Sequence, residues 1–212
     1  YQEGDAITHP WMTNAVEKAQ TRVESHNFEI RKQLIKYDEV MNQQREVIYN
    51  FRRNVLKGYD ISSEIKEMIK DTLENVIDEK VSVETYEEDW ELGKIIEWLS
   101  YELRIQAKVD DLQSDIMNRE VLLANLEDIV FEAYSKREEF LGSENMRKLE
   151  RHSLLSVVDE NWKDHLHEMD LLKEGIGLRA YGQKDPLTEY KKESYLLFEK
   201  LISNIHESVT KS

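Results

Sequence analysis

The chain has 212 residues and carries 44 acidic side chains against 29 lysines and arginines, a formal net charge of −15. It contains no cysteine, which excludes disulfides and thiolate metal sites and favours a reducing compartment. No apolar run approaches the roughly 18 residues of a membrane span, and we expect no signal peptide. The chain should therefore be soluble, or touch a membrane through a partner. Only two prolines and seven glycines, with 34% charged residues, predict an all-α fold of long helices.

The first predicted element is one uninterrupted helix from Pro10 to Lys57. Proline is favoured in a first helical turn, and Gly58 is suited to end the helix. Its length is about 70 Å at 1.5 Å per residue, too long for one small core to bury. Further apolar residues lie off its main stripe, as expected of a strut that several bodies contact. The stripe is Met12, Val16, Ala19, Val23, His26, Ile30, Leu34, Tyr37, Met41, Gln44, Ile48, Phe51 and Val55, and the residues off it are Phe28, Ile35, Val40 and Val47.

The middle third holds most of the excess acid, with 23 acidic residues against nine basic ones over residues 58–141. Phosphate contacts need clustered basic residues, so we expect no nucleic-acid binding. The acid is interpreted as a solvated lobe, with a site for a basic partner as the alternative. Apolar periodicity predicts helices near 61–80, 86–107 and 118–140. Leu141-Gly142-Ser143 is interpreted as a helix stop followed by a new N-cap at Ser143.

The last third is predicted to be an antiparallel helical hairpin. Apolar residues at steps of three and four mark its first arm, and Asp185-Pro186 supplies an N-cap and a first-turn proline for the second. The connecting sequence "GLRAYGQKDPLTEY", residues 177–190, places Arg179 and Tyr181 in the turn. An aromatic residue there either contacts a partner or folds back to plug the turn.

No catalytic motif is present in the sequence. There is no phosphate-cradling P-loop, no G-x-S-x-G and no H-E-x-x-H. The segment "DENWKDHLHEMD", residues 159–170, combines two histidines with carboxylates, but His165 and His167 are two residues apart and point to opposite sides of a helix. Asp164 and His167 could share an ion, yet no second such motif completes a di-metal site. We interpret His165 as a core residue, His167 as exposed, and the four tryptophans as packing residues.

Three stretches together resemble one family. "HPWMTNAVEKAQTRVESHNFEIRKQLIKYDEVMNQQREVIY" resembles the long scaffold helix of SecA, the ATP-driven motor of bacterial protein export. "ENWKDHLHEMDLLKEGIGLRAYGQKDPLTEYKKESY" resembles its two-helix finger, and the segment between fits its helical wing domain in position and size. At the tip, Ala180 and Gly182 exchange the places that glycine and alanine have in the family, which moves the flexible position of the turn by two residues.

The resemblance implies a fragment in three parts. Residues 1–57 would be the long scaffold helix, 58–141 the acidic wing as a separate small lobe, and 142–212 the finger that completes the scaffold. The fragment would have no enzymatic activity and no cofactor; ATP and Mg would belong to motor domains absent from this chain. Its partners would be those motor domains, unfolded preprotein and the SecY channel. It would lie in the cytoplasm, peripherally associated with the inner face of the bacterial cell membrane through the channel.

The resemblance also implies two contact surfaces, and no catalytic, cofactor or metal residues. The finger tip would pass the motion of the motor to the translocating chain, and the scaffold helix would lie across the motor domains. The tip residues are Leu178, Arg179, Tyr181, Gln183 and Lys184. The scaffold residues facing the motor are Trp11, Phe28, Ile30, Arg31, Leu34, Tyr37 and Asp38.

Two other classes of function stay open at this point. One is a free-standing coiled-coil adaptor that forms a homodimer through the long helix, although two consecutive four-residue steps in the stripe depart from a regular coiled coil. The other is a helical-bundle metalloenzyme. Concentration-dependent mass in sedimentation distinguishes the first, and metal analysis the second.

Overall fold

The computed structural model describes residues 10–81, 90–113, 118–176 and 185–212. Every regular element in these ranges is helical, which confirms the all-α fold class. A short 3-10 turn over Val109–Asp111 accompanies the α-helices. The helices are α1 (Pro10–Leu56), α2 (Ser62–Lys80), α3 (Leu92–Glu102), α4 (Arg119–Leu141), α5 (Ser143–Gly175) and α6 (Pro186–Lys211). Within the described ranges, no helix is long and apolar enough to cross a membrane.

Helices α5 and α6 form the predicted antiparallel hairpin. Near its open end Ser153 donates to Ser212, while farther along Lys200 reaches Glu168 at 2.9 Å. The residue that comes later in α5 thus pairs with the residue that comes earlier in α6, so the two helices are antiparallel. The second arm begins as predicted, because the Asp185 carboxylate accepts the Thr188 backbone N–H at 3.0 Å and proline occupies the first turn.

The C-terminal half of α1 lies against this hairpin. Helices α1 and α5 are antiparallel, because residues later in α1 pair with residues earlier in α5. The pairs are Asp38 with Lys173, Gln44 with His165, and Arg52 with Asp159. The N-terminal half of α1 takes no part in this packing. Buried residues of α1 are confined to Gln44, Ile48 and Val55. The stripe read from the sequence is thus a core face only over its last third.

Helices α2, α3 and α4 lie in the segment predicted to be a separate wing, but α2 packs on α6. Thr72 and Asn75 of α2 reach the hydroxyls of Thr210 and Ser203 on α6, at 3.1 and 3.4 Å. One cluster of buried apolar side chains runs from Ile48 on α1 through α2, α3 and α4 to the C-terminal half of α6. The domain boundaries therefore remain predictions, since the core continues across them.

Two glycines with positive φ lie at the helix boundaries before α2 and after α4. Gly58 follows α1 with φ of +80°, as predicted, and its N–H bonds to the Val55 carbonyl. Gly142, with φ of +78°, separates α4 from α5. The expected N-cap at Ser143 is wrong. Gly142 itself flanks both helices, and the Ser143 hydroxyl donates to the Glu138 carboxylate instead of to the new helix.

The third helix is shorter than expected. The sequence predicted a helix over 86–107, whereas α3 ends at Glu102. Arg104 then adopts φ of +57°, and the Ile105 N–H reaches back to the Leu99 carbonyl at 3.0 Å, which closes the helix end. The apolar residues that follow α3 still pack against the core from an irregular segment, so their periodicity alone overextended the helix.

Candidate functional site

The most conspicuous surface is the N-terminal part of α1, residues 10–36, here called the exposed stretch. Apart from the partly buried Met12, all of its side chains are exposed. Large apolar groups are among them, including Val23 and Phe28, each 58% exposed. Exposed apolar surface of this kind is typical of interaction sites. The other large exposed apolar residues of the stretch are Trp11, Val16, Ile30, Leu34 and Ile35.

The predicted scaffold-face residues divide into two groups. Trp11, Phe28, Ile30, Arg31 and Leu34 belong to the exposed stretch. The other two contact the hairpin of the same chain. The Tyr37 ring packs edge-on against Tyr190 of α6, with centroids 4.8 Å apart, and Asp38 accepts from Lys173 of α5 at 2.8 Å. The exposed stretch thus lies directly N-terminal to these two residues, which contact the hairpin.

A buried polar contact fixes α1 on the hairpin. The Gln44 amide Nε2 donates to the Ser194 carbonyl of α6 at 3.0 Å, and its Oε1 lies 2.9 Å from His165 Nε2 of α5. Gln44, His165 and Ser194 are all buried. One side chain of α1 thereby connects both arms, which sets the register of the helix and the direction of the exposed stretch. We call these three residues the polar lock.

The lock also fixes the protonation of His165. Because the Gln44 amide group donates to α6, its oxygen can only accept, so His165 Nε2 carries the proton. The other ring nitrogen, Nδ1, is buried and has no hydrogen-bond partner among the described residues. Burial lowers the pKa of His165 below its ordinary value and so favours the neutral ring. The predicted core position is confirmed, but only one ring nitrogen is satisfied.

Two exposed ion pairs flank the polar lock. The Arg52 guanidinium binds Asp159 through both oxygens, at 2.8 and 3.1 Å, and this contact lowers the pKa of Asp159. Lys173 and Asp38 form the other pair, whose hydrogen bond raises the pKa of Lys173. Exposed pairs of this kind contribute little stability, so they add little to the attachment of α1.

The predicted finger-tip residues lie outside the described residues. These are Leu178, Arg179, Tyr181, Gln183 and Lys184. The structure does describe the arms next to them. There a small core of Met169, Ile176 and Tyr190 packs with Tyr37 of α1, so the hairpin is braced up to the turn.

Sequence reasoning missed a charged cluster where α4 meets α5. The Arg147 guanidinium of α5 donates to the Tyr134 hydroxyl at 2.9 Å and to Glu138 at 3.1 Å, both on α4. It also lies 3.1 Å from Glu150 and 3.4 Å from Asp60. A buried glutamate at Glu150, at a helical step of four from Met146 and Leu154, was the available signal, since such residues are seldom buried unless paired.

Within the described ranges, no group of three or more histidine or acidic side chains could hold a metal ion. His165 is buried in the polar lock and His167 is exposed, so the two face different surroundings as expected. The most prominent surface feature of the described residues is the exposed apolar stretch, which the hairpin holds at one end.

Comparison with known proteins identifies the family. The family described as the SecA Wing and Scaffold domain matches residues 6–212. The protein translocase subunit SecA of Carboxydothermus hydrogenoformans is 46% identical over 211 residues, which cover 99% of this chain and 24% of that protein. The SecA of Heliobacterium modesticaldum is 45% identical over 196 residues, 92% of this chain and 23% of that protein. This chain thus spans about a quarter of the length of these relatives, and it belongs to the SecA family as a wing and scaffold domain.

Proposed function

We propose that this chain is the scaffold, wing and finger portion of a SecA translocase. In that role it couples the ATP-driven movement of motor domains to the passage of unfolded preprotein through the SecY channel. The family match and the relatives named as protein translocase subunits support the assignment. ATP and Mg bind the motor domains rather than this chain. The complex works in the cytoplasm and meets the inner face of the membrane through the channel.

The exposed stretch of α1 is the observation that carries this proposal. Ile30 and Leu34 are still 44% and 46% exposed, although both lie on the apolar stripe. An apolar helix face left in water promotes aggregation, and burying it against a partner removes that cost. Motor domains lying across the scaffold helix would cover it. Tyr37 and Asp38 then mark the border between the motor surface and the hairpin surface.

The α5–α6 hairpin acts as the finger in this proposal. Its two arms pack along their length, and the polar lock joins both arms to α1 in the half of the hairpin nearer the turn, so movement of α1 carries the hairpin with it. The tip residues, above all Tyr181, then press on the translocating chain at the mouth of the channel. An aromatic ring suits this task because it contacts many different sequences.

Reassociation of separated parts tests the motor contact. The motor portion of the Carboxydothermus hydrogenoformans relative is mixed with this chain and the affinity is measured. Ile30→Asp with Leu34→Asp should abolish binding, because two unpaired charges would enter an apolar interface. Ile30→Val with Leu34→Met keeps both positions apolar and should bind nearly as well as the unchanged chain. Equal affinity of the Asp variant would refute the proposed interface.

The exposed stretch supports a second candidate, a coiled-coil dimer. Val16, Val23 and Ile30 are spaced by seven residues and all three are exposed, as in an unpaired coiled-coil seam. Sedimentation equilibrium separates the candidates. A mass that doubles with concentration and returns to the monomer value in the Ile30→Asp, Leu34→Asp variant would favour the adaptor.

A further inference from the structure

A cavity of about 330 Å³ lies where the wing meets the scaffold. Its walls come from α2, α4, α5, α6 and the segment that follows α3, and they are mainly apolar. This volume is at the lower end of the range for small-molecule sites, and an apolar wall with a few polar groups is their usual composition. The apolar wall includes Ile65, Ile69, Leu103, Ile105, Val130 and Val209.

One buried acceptor in this wall has an unmet hydrogen-bonding capacity. Glu150 is 7% exposed, and its Oε1 already accepts from Tyr134 at 2.5 Å and lies 3.1 Å from Arg147. Its other oxygen, Oε2, is buried and has no partner among the described residues. Burial raises the pKa of Glu150, in keeping with this incomplete solvation. Glu150 is among the residues that line the cavity, so the N–H group of a bound ligand would supply the missing donor.

Two cationic side chains also line the cavity. Arg104 and Arg137 are exposed, and neither side chain forms an ion pair or hydrogen bond within the described part of the chain. Arg104 adopts φ of +57° at a helix end where glycine is the usual residue. An arginine at this position places its guanidinium at the cavity, although a positive φ is unfavourable for a residue with a side chain. Strained residues of this kind concentrate at ligand sites.

We propose that this cavity binds a small N-acylated apolar amino acid. Such a molecule brings the three features that the lining residues require. Its apolar side chain fills the cavity, its amide N–H donates to Glu150 Oε2, and its carboxylate lies between the guanidinium groups of Arg104 and Arg137. The inference is independent of the transport role, since it depends only on the wall of the cavity.

Calorimetric titration of this chain with N-acetyl-leucine tests the proposal. We expect saturable binding at one site per chain. Arg104→Gly should weaken it about tenfold or more, the usual loss for a hydrogen bond between charged groups. The same change should leave the melting temperature unchanged or raised, because glycine accepts a positive φ. Arg137→Ala on α4 should weaken binding similarly while preserving the helix.

Altered ligands identify the contacts. N-acetyl-leucinamide lacks the carboxylate, so it should bind more weakly than N-acetyl-leucine and with the same affinity to the unchanged chain and to Arg104→Gly. The acid 4-methylpentanoate lacks the N–H group, so it cannot donate to Glu150 and should bind more weakly than N-acetyl-leucine. Arg53→Ala, at an exposed residue of α1 that does not line the cavity, is the charge-matched control and should bind N-acetyl-leucine unchanged. Absence of saturation below about 10 mM, or equal affinity of the unchanged chain and Arg104→Gly, would overturn the proposal.

Discussion

Gln44→Leu should release α1 from the hairpin more than any exposed substitution on that helix. Leucine matches glutamine in size but strands the buried His165 N–H, and it removes one hydrogen bond to the Ser194 carbonyl. A buried unsatisfied donor costs about 1–3 kcal/mol. Loss of the hydrogen bond to the Ser194 carbonyl costs less free energy, because this carbonyl lies within α6 and keeps the backbone hydrogen bond of the helix. We therefore expect a loss of about 2 kcal/mol in the free energy of unfolding, or a fall of roughly 4–8 °C in melting temperature for a chain of this length.

The double variant Gln44→Leu, His165→Phe provides the control. It removes both partners instead of stranding one, so it should be more stable than Gln44→Leu alone. The rings of Trp162 and Phe198 lie beside the His165 ring, with centroids 5.4 and 5.9 Å from it, which gives a phenylalanine apolar neighbours. Urea unfolding followed by circular dichroism measures both variants. If Gln44→Leu stayed within about 0.5 kcal/mol of the unchanged chain, or if the double variant were the less stable, the reasoning about the polar lock would fail.

Three further predictions concern pH, the finger tip and nucleotide. Because burial lowers the pKa of His165, the unfolded chain binds its proton first, so this residue should reduce stability as pH falls below about 6.5, by at most about 1.4 kcal/mol per pH unit. Urea unfolding at pH 7 and pH 5.5 should show this loss, and the double variant should lack it. Tyr181→Ala should change unfolding by less than about 1 kcal/mol but slow preprotein transport when placed in an intact translocase, with Tyr181→Phe mild; full transport by the alanine variant would remove the finger contact. Titration of this chain with Mg-ATP should be flat, because the sequence has no P-loop, and a micromolar dissociation constant would contradict this.

Local sequence signals predicted most of the helix ends. Asp185-Pro186 began the second hairpin arm because an aspartate cap and a proline act within one turn, without help from the rest of the fold. Gly58 ended α1 for the same reason, because a glycine adopts a positive φ without help from the rest of the fold. Where the prediction was wrong, as at Arg104, a non-glycine residue adopted the conformation that glycine usually takes, and periodicity gave no sign of it.

The sequence by itself determined the all-α class, the long helix, the hairpin and the family, because periodicity, capping residues and long motifs are properties of neighbouring residues. Only the tertiary structure decided which part of the α1 stripe is core. Met12 through Val55 form one pattern, yet contact with the hairpin begins at Tyr37 and full burial only at Gln44, where α5 and α6 cover the helix. The polar lock was likewise hidden, because Gln44 lies more than 100 residues from His165 and Ser194 in the chain and meets them only when the helices pack. An apolar residue fits a core or an interface equally well, and the neighbouring helix determines which one it joins.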